Sequence, residues 1–98
     1  MFSETIDCET AKDLINNQQA QLVDVRSKLE FAQGALPNAI NVPLQTLIDD
    51  SEVLDKTKPV VLYCVTGTRT KMAKLQLDTL GFEQVYDLGS FRNYLQCH

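Results

Sequence analysis

A short apolar run in the middle of the chain restricts the possible fold more than any other segment. Residues 60–63, Val-Val-Leu-Tyr, contain no charged side chain and consist mainly of β-branched and aromatic types. A strand that is apolar on both faces is typical of a parallel sheet covered by helices on each side. The run therefore predicts a central, fully buried β-strand.

Strand-like and helix-like segments alternate along the rest of the chain. Extended structure is predicted for residues 5–7, 21–25, 39–42 and 84–87. Helices are predicted for residues 9–17, 27–31, 44–49, 71–80 and 91–96, with a polar loop over 50–58. This alternation predicts an α/β domain with a parallel sheet of four or five strands and helices on both faces.

The longest predicted helix, over residues 71–80, has a recognisable end and an apolar side. Gly81 is suited to follow the last helical residue in a left-handed conformation. The residues expected to face the core are Met72, Ala73, Leu77 and Leu80.

Length and composition predict one domain over residues 1–98. The chain has 98 residues, of which 44% are hydrophobic and 22% charged, as expected for a packed core rather than disorder.

The formal net charge is -4 and the nine basic residues are scattered, which argues against nucleic-acid binding. No apolar stretch is long enough for a membrane span, and residues 1–5 do not resemble a signal peptide. A cytoplasmic location is therefore expected.

The chain contains three cysteines, Cys8, Cys64 and Cys97, and a single histidine, His98. An odd, sparse set in a chain expected to be cytoplasmic does not suggest a disulfide framework. The spacing does not suggest a zinc site, so no metal is predicted. Cys8 is expected to be an ordinary residue at a helix start. Cys97 could resolve a persulfide or form an intermolecular disulfide, but is expected to be incidental.

The segment that follows the central strand has the composition of a reactive-thiol site. Cys64 is placed at the carboxyl end of the strand, where ligands bind in open α/β sheets. Gly67 allows a tight turn, Arg69 brings a positive charge, and Thr68 or Thr70 can cap the next helix or donate to an anion. Backbone N–H groups of the loop and the helix start favour a thiolate over a thiol.

A purely structural interpretation of the same residues is equally open at this point. Cysteine is often a small buried hydrophobic residue, and a glycine in a strand-to-helix turn is common. Arg69 could simply pair with a surface carboxylate.

Three stretches in order along the chain resemble the rhodanese-like domain family. They are residues 22–44, with Leu-Val-Asp-Val-Arg at the start and Gly-Ala-Leu-Pro-Asn-Ala-Ile-Asn-Val-Pro-Leu at the end, residues 60–70, and residues 80–86. The resemblance covers nearly the whole chain. It implies a single rhodanese-like domain with a central, mostly parallel five-stranded sheet flanked by helices on both faces.

The resemblance also implies a single-domain sulfurtransferase. Cys64 matches the nucleophile that takes a sulfane sulfur from thiosulfate or a persulfide and passes it to a thiol or cyanide. It implies no metal and no organic cofactor. Four residues separate Cys64 from Arg69, whereas cysteine-based phosphatases have five, which favours sulfur transfer. The residues predicted to bind the substrate are Val65, Thr66, Gly67, Thr68, Arg69 and Thr70.

The chain departs from the family pattern near this loop. Val65 stands where many members have a basic residue, so thiosulfate is expected to bind weakly. Ala35 and Asn38 replace a common histidine and a common glycine, and Gly89-Ser90 replaces a frequent glycine pair. Two alternatives therefore stay open: a non-enzymatic binding or regulatory module, and a persulfide relay supplied by a partner protein.

Asp24, Arg26 and Glu30 are the conspicuous charged residues of the first matching stretch. We expect them to form a structural network of ion pairs and hydrogen bonds that fixes the first strand and its turn. Arg26 facing a pocket mouth is the alternative.

Overall fold

The structure, a computed structural model, describes residues 5–97. Residues 1–4, which belong to the segment that does not resemble a signal peptide, and His98, the single histidine, lie outside these residues. The described elements are α1 (Cys8–Asn17), β1 (Gln21–Asp24), α2 (Lys28–Ala32), β2 (Ile40–Asn41), α3 (Leu47–Asp50), β3 (Val60–Cys64), α4 (Thr68–Thr79), β4 (Val85–Ser90) and α5 (Phe91–Tyr94). Short 3₁₀ turns over Leu44–Thr46 and Ser51–Val53 flank α3.

The strands form a parallel sheet in the order β2-β1-β3-β4. All five residues of β3 are buried, because β1 and β4 pair with it on either side and helices cover both faces. The prediction of a central buried strand is confirmed.

The five-stranded sheet implied by the resemblance is wrong for this chain, since the sheet has four strands. The predicted extended start over residues 5–7 makes only one isolated parallel bridge, between Thr5 and Asp87. The Ile6 N–H adds a hydrogen bond to the Asp87 carbonyl at 2.8 Å. The pairing stops there because Asp7 caps α1 by accepting from the Thr10 N–H, which turns the chain away from the sheet.

Successive residues of β3 enter two different hydrophobic clusters, one on each face of the sheet. On one face Val60, Leu62 and Cys64 pack with Ala73 and Leu77 of α4. On the other face Val61 and Tyr63 belong to the cluster that includes Ala11 and Leu14 of α1 and is flanked by Phe91 and Tyr94 of α5. Helices on both faces were predicted, and this arrangement confirms them.

The boundaries of α4 differ from the prediction. The helix begins at Thr68 rather than at residue 71, because Gly67 adopts a φ of 94° and turns the chain directly from the loop into the helix. Ala73 and Leu77 are buried as predicted, and Leu80 packs against their cluster. Met72 does not face the core, since it is 50% exposed.

The polar segment over residues 50–58 is more ordered than predicted. It contains the Ser51–Val53 turn, and Leu54 is buried in the cluster beneath α4. Near the end of the chain, β4 extends to Ser90 and includes a register shift opposite Leu62 and Tyr63. Neither feature was predicted, because each depends on contacts with residues distant in sequence.

The expectation that the cysteines form no disulfide is wrong. Cys8 and Cys97 form a disulfide bond within the chain, with Cα atoms 5.8 Å apart and a sequence separation of 89. Cysteine spacing does not indicate this pairing, because it arises when α5 packs beside α1 and brings Cys97 next to Cys8. Among the described helices, none is long and apolar enough to cross a membrane.

Candidate active site

Cys64 is the last residue of β3 and lies at the carboxyl edge of the sheet. Its side chain is buried, and its Sγ accepts a hydrogen bond from the Gly67 N–H at 3.0 Å. Because the other two cysteines form a disulfide, Cys64 is the free cysteine of the chain. The structure thus places the predicted nucleophile in contact with the predicted loop.

Gly67 makes this contact possible through its backbone conformation. Its φ of 94° lies in the left-handed region, and a Cβ added there would approach the Gly89 Cα at 3.5 Å. Gly89 is held in turn by Asp87, whose Oδ1 accepts from the Gly89 N–H at 2.8 Å. Gly89, in the last part of β4, therefore packs against the turn of the Cys64 loop.

The threonines of the loop take different positions from those predicted. Gly67 is the N-cap residue of α4, and no side chain caps this helix, so the capping role considered for Thr68 and Thr70 is wrong. Thr70 is fully buried, and its hydroxyl donates to the Gly67 carbonyl at 2.8 Å. The hydroxyls of Thr66 and Thr68 are exposed and lie 3.2 Å apart. The first N–H groups of α4 therefore have no side-chain cap, and the Gly67 N–H that precedes them bonds to Cys64 Sγ.

Arg69 lies in the first turn of α4, where it pairs with Glu30 of α2. Nη1 is 2.6 Å from Oε1 and Nη2 is 3.0 Å from Oε2, a bidentate contact. Glu30 also completes a capping box with Ser27 at the start of α2. The hydrogen bonds from Arg69, followed by the Ser27 N–H, lower the pKa of Glu30 to about 2. The positive charge of Arg69 is thus balanced by a neighbouring carboxylate.

Asp24 and Arg26 form the structural pair that was predicted. Arg26 Nη2 is 2.7 Å from Oδ2 of the buried Asp24, and Nε donates to both carboxylate oxygens. Glu30, expected in the same network, instead connects α2 to the Cys64 loop.

The buried Tyr63 accepts a hydrogen bond from the Leu36 N–H, and burial raises the pKa of its phenol to about 12.

Two parts of this site could not be found from the sequence. The capping-box spacing of Ser27 and Glu30 is visible in the sequence, but it does not indicate that Glu30 faces Arg69 across the fold. The hydrogen bond from the Gly89 N–H to Asp87 is local, but the sequence does not indicate that Gly89 lies opposite the Cys64 loop, because that position depends on the pairing of β4 with β3. Within residues 5–97, no group of three or more potential ligands among His, Cys, Asp and Glu could hold a metal ion.

Comparison with known proteins identifies similar chains along nearly the whole length. The family model of the rhodanese-like domain matches residues 7–97. The thiosulfate sulfurtransferase GlpE of Coxiella burnetii is 30% identical over 89 residues, which cover 90% of this chain and 83% of that protein. A sulfurtransferase of Allochromatium vinosum is 32% identical over 84 residues, covering 85% of this chain and 78% of the relative.

A solved structure of similar size has the same fold. The human single-domain sulfurtransferase TSTD1 superimposes with a TM-score of 0.83 and covers 99% of each chain. The two sequences are 23% identical, so this likeness concerns the fold.

The Glu30–Arg69 pair predicts a stability change in acid. The pKa of Glu30 is about 2 in the folded chain against an ordinary value of 4.5, so the pair stabilises the fold fully above pH 4.5. This stabilisation is lost as the pH falls from 4.5 towards 2, when Glu30 takes up a proton. We expect the difference in free energy of unfolding between the wild type and Glu30→Gln to shrink over this range in urea titrations.

The control for the loss of one negative charge is Asp78→Asn, which removes the carboxylate of the i,i+4 pair with Lys74. Both variants should be measured across the same pH series. A difference between wild type and Glu30→Gln that stays constant from pH 6 to pH 2 would contradict the proposed role of the ion pair.

Proposed function

This chain belongs to the rhodanese-like domain family, and from that premise we propose that it is a sulfurtransferase in which Cys64 carries the transferred sulfur as a persulfide. The observation that supports this most strongly is the contact between Cys64 Sγ and the Gly67 N–H at the carboxyl edge of the sheet. A free thiol at the end of the central strand, facing backbone donors, is suited to become a thiolate nucleophile.

The proposed reaction has two covalent steps. In the first, the Cys64 thiolate attacks the sulfane sulfur of the donor, a new S–S bond forms, and the donor's own bond to that sulfur breaks. The donor leaves with the electron pair, as sulfite from thiosulfate or as a thiolate from a persulfide. In the second step a thiolate or cyanide attacks the outer sulfur, the bond to Sγ breaks, and Cys64 is released as a thiolate.

The loop supplies hydrogen-bond donors for the anionic sulfur in both steps. We assign substrate contact to the residues that follow Cys64 directly, Val65, Thr66 and Gly67, and to the first turn of α4, Thr68 and Arg69. Gly67 donates to Sγ, and the start of α4 adds its unpaired N–H groups and partial positive charge. Thr70 acts indirectly, because its buried hydroxyl holds the Gly67 carbonyl and so keeps the Gly67 N–H directed at the sulfur.

The charge balance of the loop affects which sulfur donor the protein uses best. Arg69 is engaged by Glu30 through two hydrogen bonds, and the half-buried Val65 next to Cys64 is apolar. A thiosulfate dianion therefore meets little uncompensated positive charge in this loop. A persulfide group, on a small molecule or on a partner protein, carries at most one negative charge, so its binding depends less on that positive charge. The donor we favour is accordingly a persulfide, with thiosulfate as a weaker one.

The relay hypothesis is a variant of this proposal in which the persulfide belongs to a partner protein. The same absence of free charge at the loop supports it. A non-enzymatic binding module is less favoured, because Cys64 is free and in contact with the loop donors.

Replacing Cys64 by serine should reduce sulfur transfer from a persulfide or thiosulfate to cyanide to the background rate, since serine cannot form the intermediate. Wild-type initial rates should give parallel double-reciprocal plots, as expected when the donor leaves before the acceptor binds. The control is the double variant Cys8→Ser/Cys97→Ser, which removes the disulfide and leaves Cys64 as the remaining thiol, and it should keep activity. Turnover in a folded Cys64→Ser protein would refute the mechanism.

Glu30→Gln should increase the use of thiosulfate. Removing the carboxylate charge leaves Arg69 able to attract the dianion, while glutamine still fits the capping box at the start of α2. We expect kcat/KM for thiosulfate to rise by about tenfold, mainly through a lower KM, and kcat/KM for a small-molecule persulfide, which carries less negative charge, to change less. Asp78→Asn controls for net charge. An unchanged or lower kcat/KM for thiosulfate in Glu30→Gln would contradict the role assigned to the ion pair.

A further inference from the structure

Asp87 is a buried carboxylate that takes no part in the two proposed covalent steps. It lies in β4, opposite Leu62 of β3 in the sheet register, and its side chain is fully buried. Because Val85, two residues earlier, packs in the cluster that Cys64 shares with α4, Asp87 faces the same side of the sheet. The carboxylate therefore occupies a position in which a strand of this fold would ordinarily place an apolar side chain.

The carboxylate of Asp87 is incompletely satisfied for a buried charge. Its Oδ1 accepts a hydrogen bond from the Gly89 N–H at 2.8 Å. Among residues 5–97 no group donates a hydrogen bond to the buried Oδ2, and the ammonium group of Lys71, on a side chain that is 54% exposed, lies 3.8 Å from it. A buried charge with a single hydrogen bond costs folding free energy, because it gives up its hydration for little in return. Stability alone therefore does not account for a carboxylate at this position.

The one hydrogen bond of this carboxylate acts on the backbone that packs against the Cys64 loop. Gly89 has a φ of 78°, and its Cα lies 3.5 Å from the point that a Cβ on Gly67 would occupy. The Gly67 N–H in turn donates to Cys64 Sγ at 3.0 Å. The residue after Gly89, Ser90, pairs with Cys64 in the sheet. A continuous set of contacts thus connects Asp87 Oδ1, through Gly89 and Gly67, to the nucleophilic sulfur.

The hydrogen bond from the Gly89 N–H is the contact of this segment that depends on the Asp87 side chain. The Leu88 carbonyl accepts from Asn93 Nδ2 at 2.8 Å, and the Asp87 carbonyl accepts from the Ile6 N–H at 2.8 Å. These two bonds fix the backbone before Gly89. Without the carboxylate, Gly89 itself would be free to change its dihedral angles, because glycine adopts many backbone conformations at little cost.

We propose that Asp87 is a positioning residue for sulfur transfer, which fixes Gly89 and so keeps the Gly67 N–H directed at Cys64 Sγ. The inference rests on the proposed function. The role belongs to Oδ1 as a hydrogen-bond acceptor and not to the negative charge, which Lys71 balances from 3.8 Å. A loosened turn deprives the anionic sulfur of a well-directed donor, so the covalent steps slow down.

The binding of the sulfur donor should depend little on Asp87. The ion pair between Arg69 and Glu30 lies on the side of the loop that faces α2, and it makes no contact with Gly89. Loss of the positioning contact is therefore expected to lower kcat and to leave KM for the donor nearly unchanged.

Two substitutions at residue 87 separate the hydrogen bond from the charge. Asp87→Asn keeps an oxygen that can accept from the Gly89 N–H, and kcat should stay within about twofold of the wild type. Asp87→Ala removes the acceptor, and kcat should fall by about tenfold while KM for the donor changes by less than about twofold. Equal losses of kcat in the two variants, or a change confined to KM, would overturn the proposal.

Two glycine substitutions test the same contact and leave the buried carboxylate in place. Gly89→Ala adds a Cβ at a φ of 78°, 3.4 Å from both Asn93 Nδ2 and Thr5 Cγ2, so the segment must shift. The matched control is Gly81→Ala, which is strained in the same way at a φ of 92° but meets open space at the opposite end of α4. We expect kcat to fall by about tenfold in Gly89→Ala and to stay within about twofold in Gly81→Ala. Equal kcat in these two variants would overturn the proposal.

Hydrogen exchange of the Gly67 amide, followed by NMR, measures the positioning without turnover. The reference is the Val25 amide, which bonds to the Tyr63 carbonyl at 3.1 Å in the sheet and reports larger openings of the domain. Relative to this reference, exchange at Gly67 should be faster by about tenfold in Asp87→Ala and in Gly89→Ala. In Asp87→Asn and Gly81→Ala the ratio should stay at the wild-type value.

The exchange measurement also separates this inference from the proposed function. Absence of sulfur transfer in the wild type would refute the proposed function, while the exchange ratios would still decide whether Asp87 holds the Gly67 turn. An unaltered ratio in folded Asp87→Ala would overturn the positioning role even if the wild type transfers sulfur.

Discussion

The turn at Gly67 is the constraint on which the rest of the site depends. It connects the last residue of β3 to α4 in three residues, with a φ of 94° that an L side chain rarely adopts. This geometry directs the Gly67 N–H at Cys64 Sγ, and the Thr70 hydroxyl and the Gly89 backbone hold it in place. Without the turn, Cys64 would be an ordinary buried thiol in the hydrophobic cluster that it shares with α4.

The electrostatics of the site follow from two ion pairs at the same edge of the sheet. Asp24 neutralises Arg26 and Glu30 neutralises Arg69, so neither arginine offers a full free charge. Both guanidinium groups therefore act chiefly through the geometry of their hydrogen bonds. A site of this kind selects ligands by shape and by the placement of individual acceptor atoms, rather than by attraction of anions from a distance.

Local patterns predicted the parts of the fold that depend on local chemistry. The apolar run of β3, the existence of α1 and α2 within one residue of their predicted starts, and the loop containing Cys64 all follow from neighbouring residue types. Several features that were not predicted are contacts between distant segments. The end of the strand pairing after Thr5, the Cys8–Cys97 disulfide and the choice of Glu30 as the carboxylate partner of Arg69 each arise when elements far apart in sequence meet, which periodicity and spacing do not encode. The start of α4 and the threonine caps are local errors, which follow from the turn at Gly67.

The proposal that Cys64 carries the transferred sulfur is tested most directly by mass spectrometry of the intact protein after exposure to a small-molecule persulfide and, separately, to thiosulfate. The protein should gain one sulfur atom, which peptide mapping assigns to Cys64 and which a thiol or cyanide removes. The gain should be more complete with the persulfide than with thiosulfate, and absent in Cys64→Ser. No gain with either donor, or a sulfur found on Cys8 or Cys97 instead, would contradict the central claim that Cys64 carries the transferred sulfur.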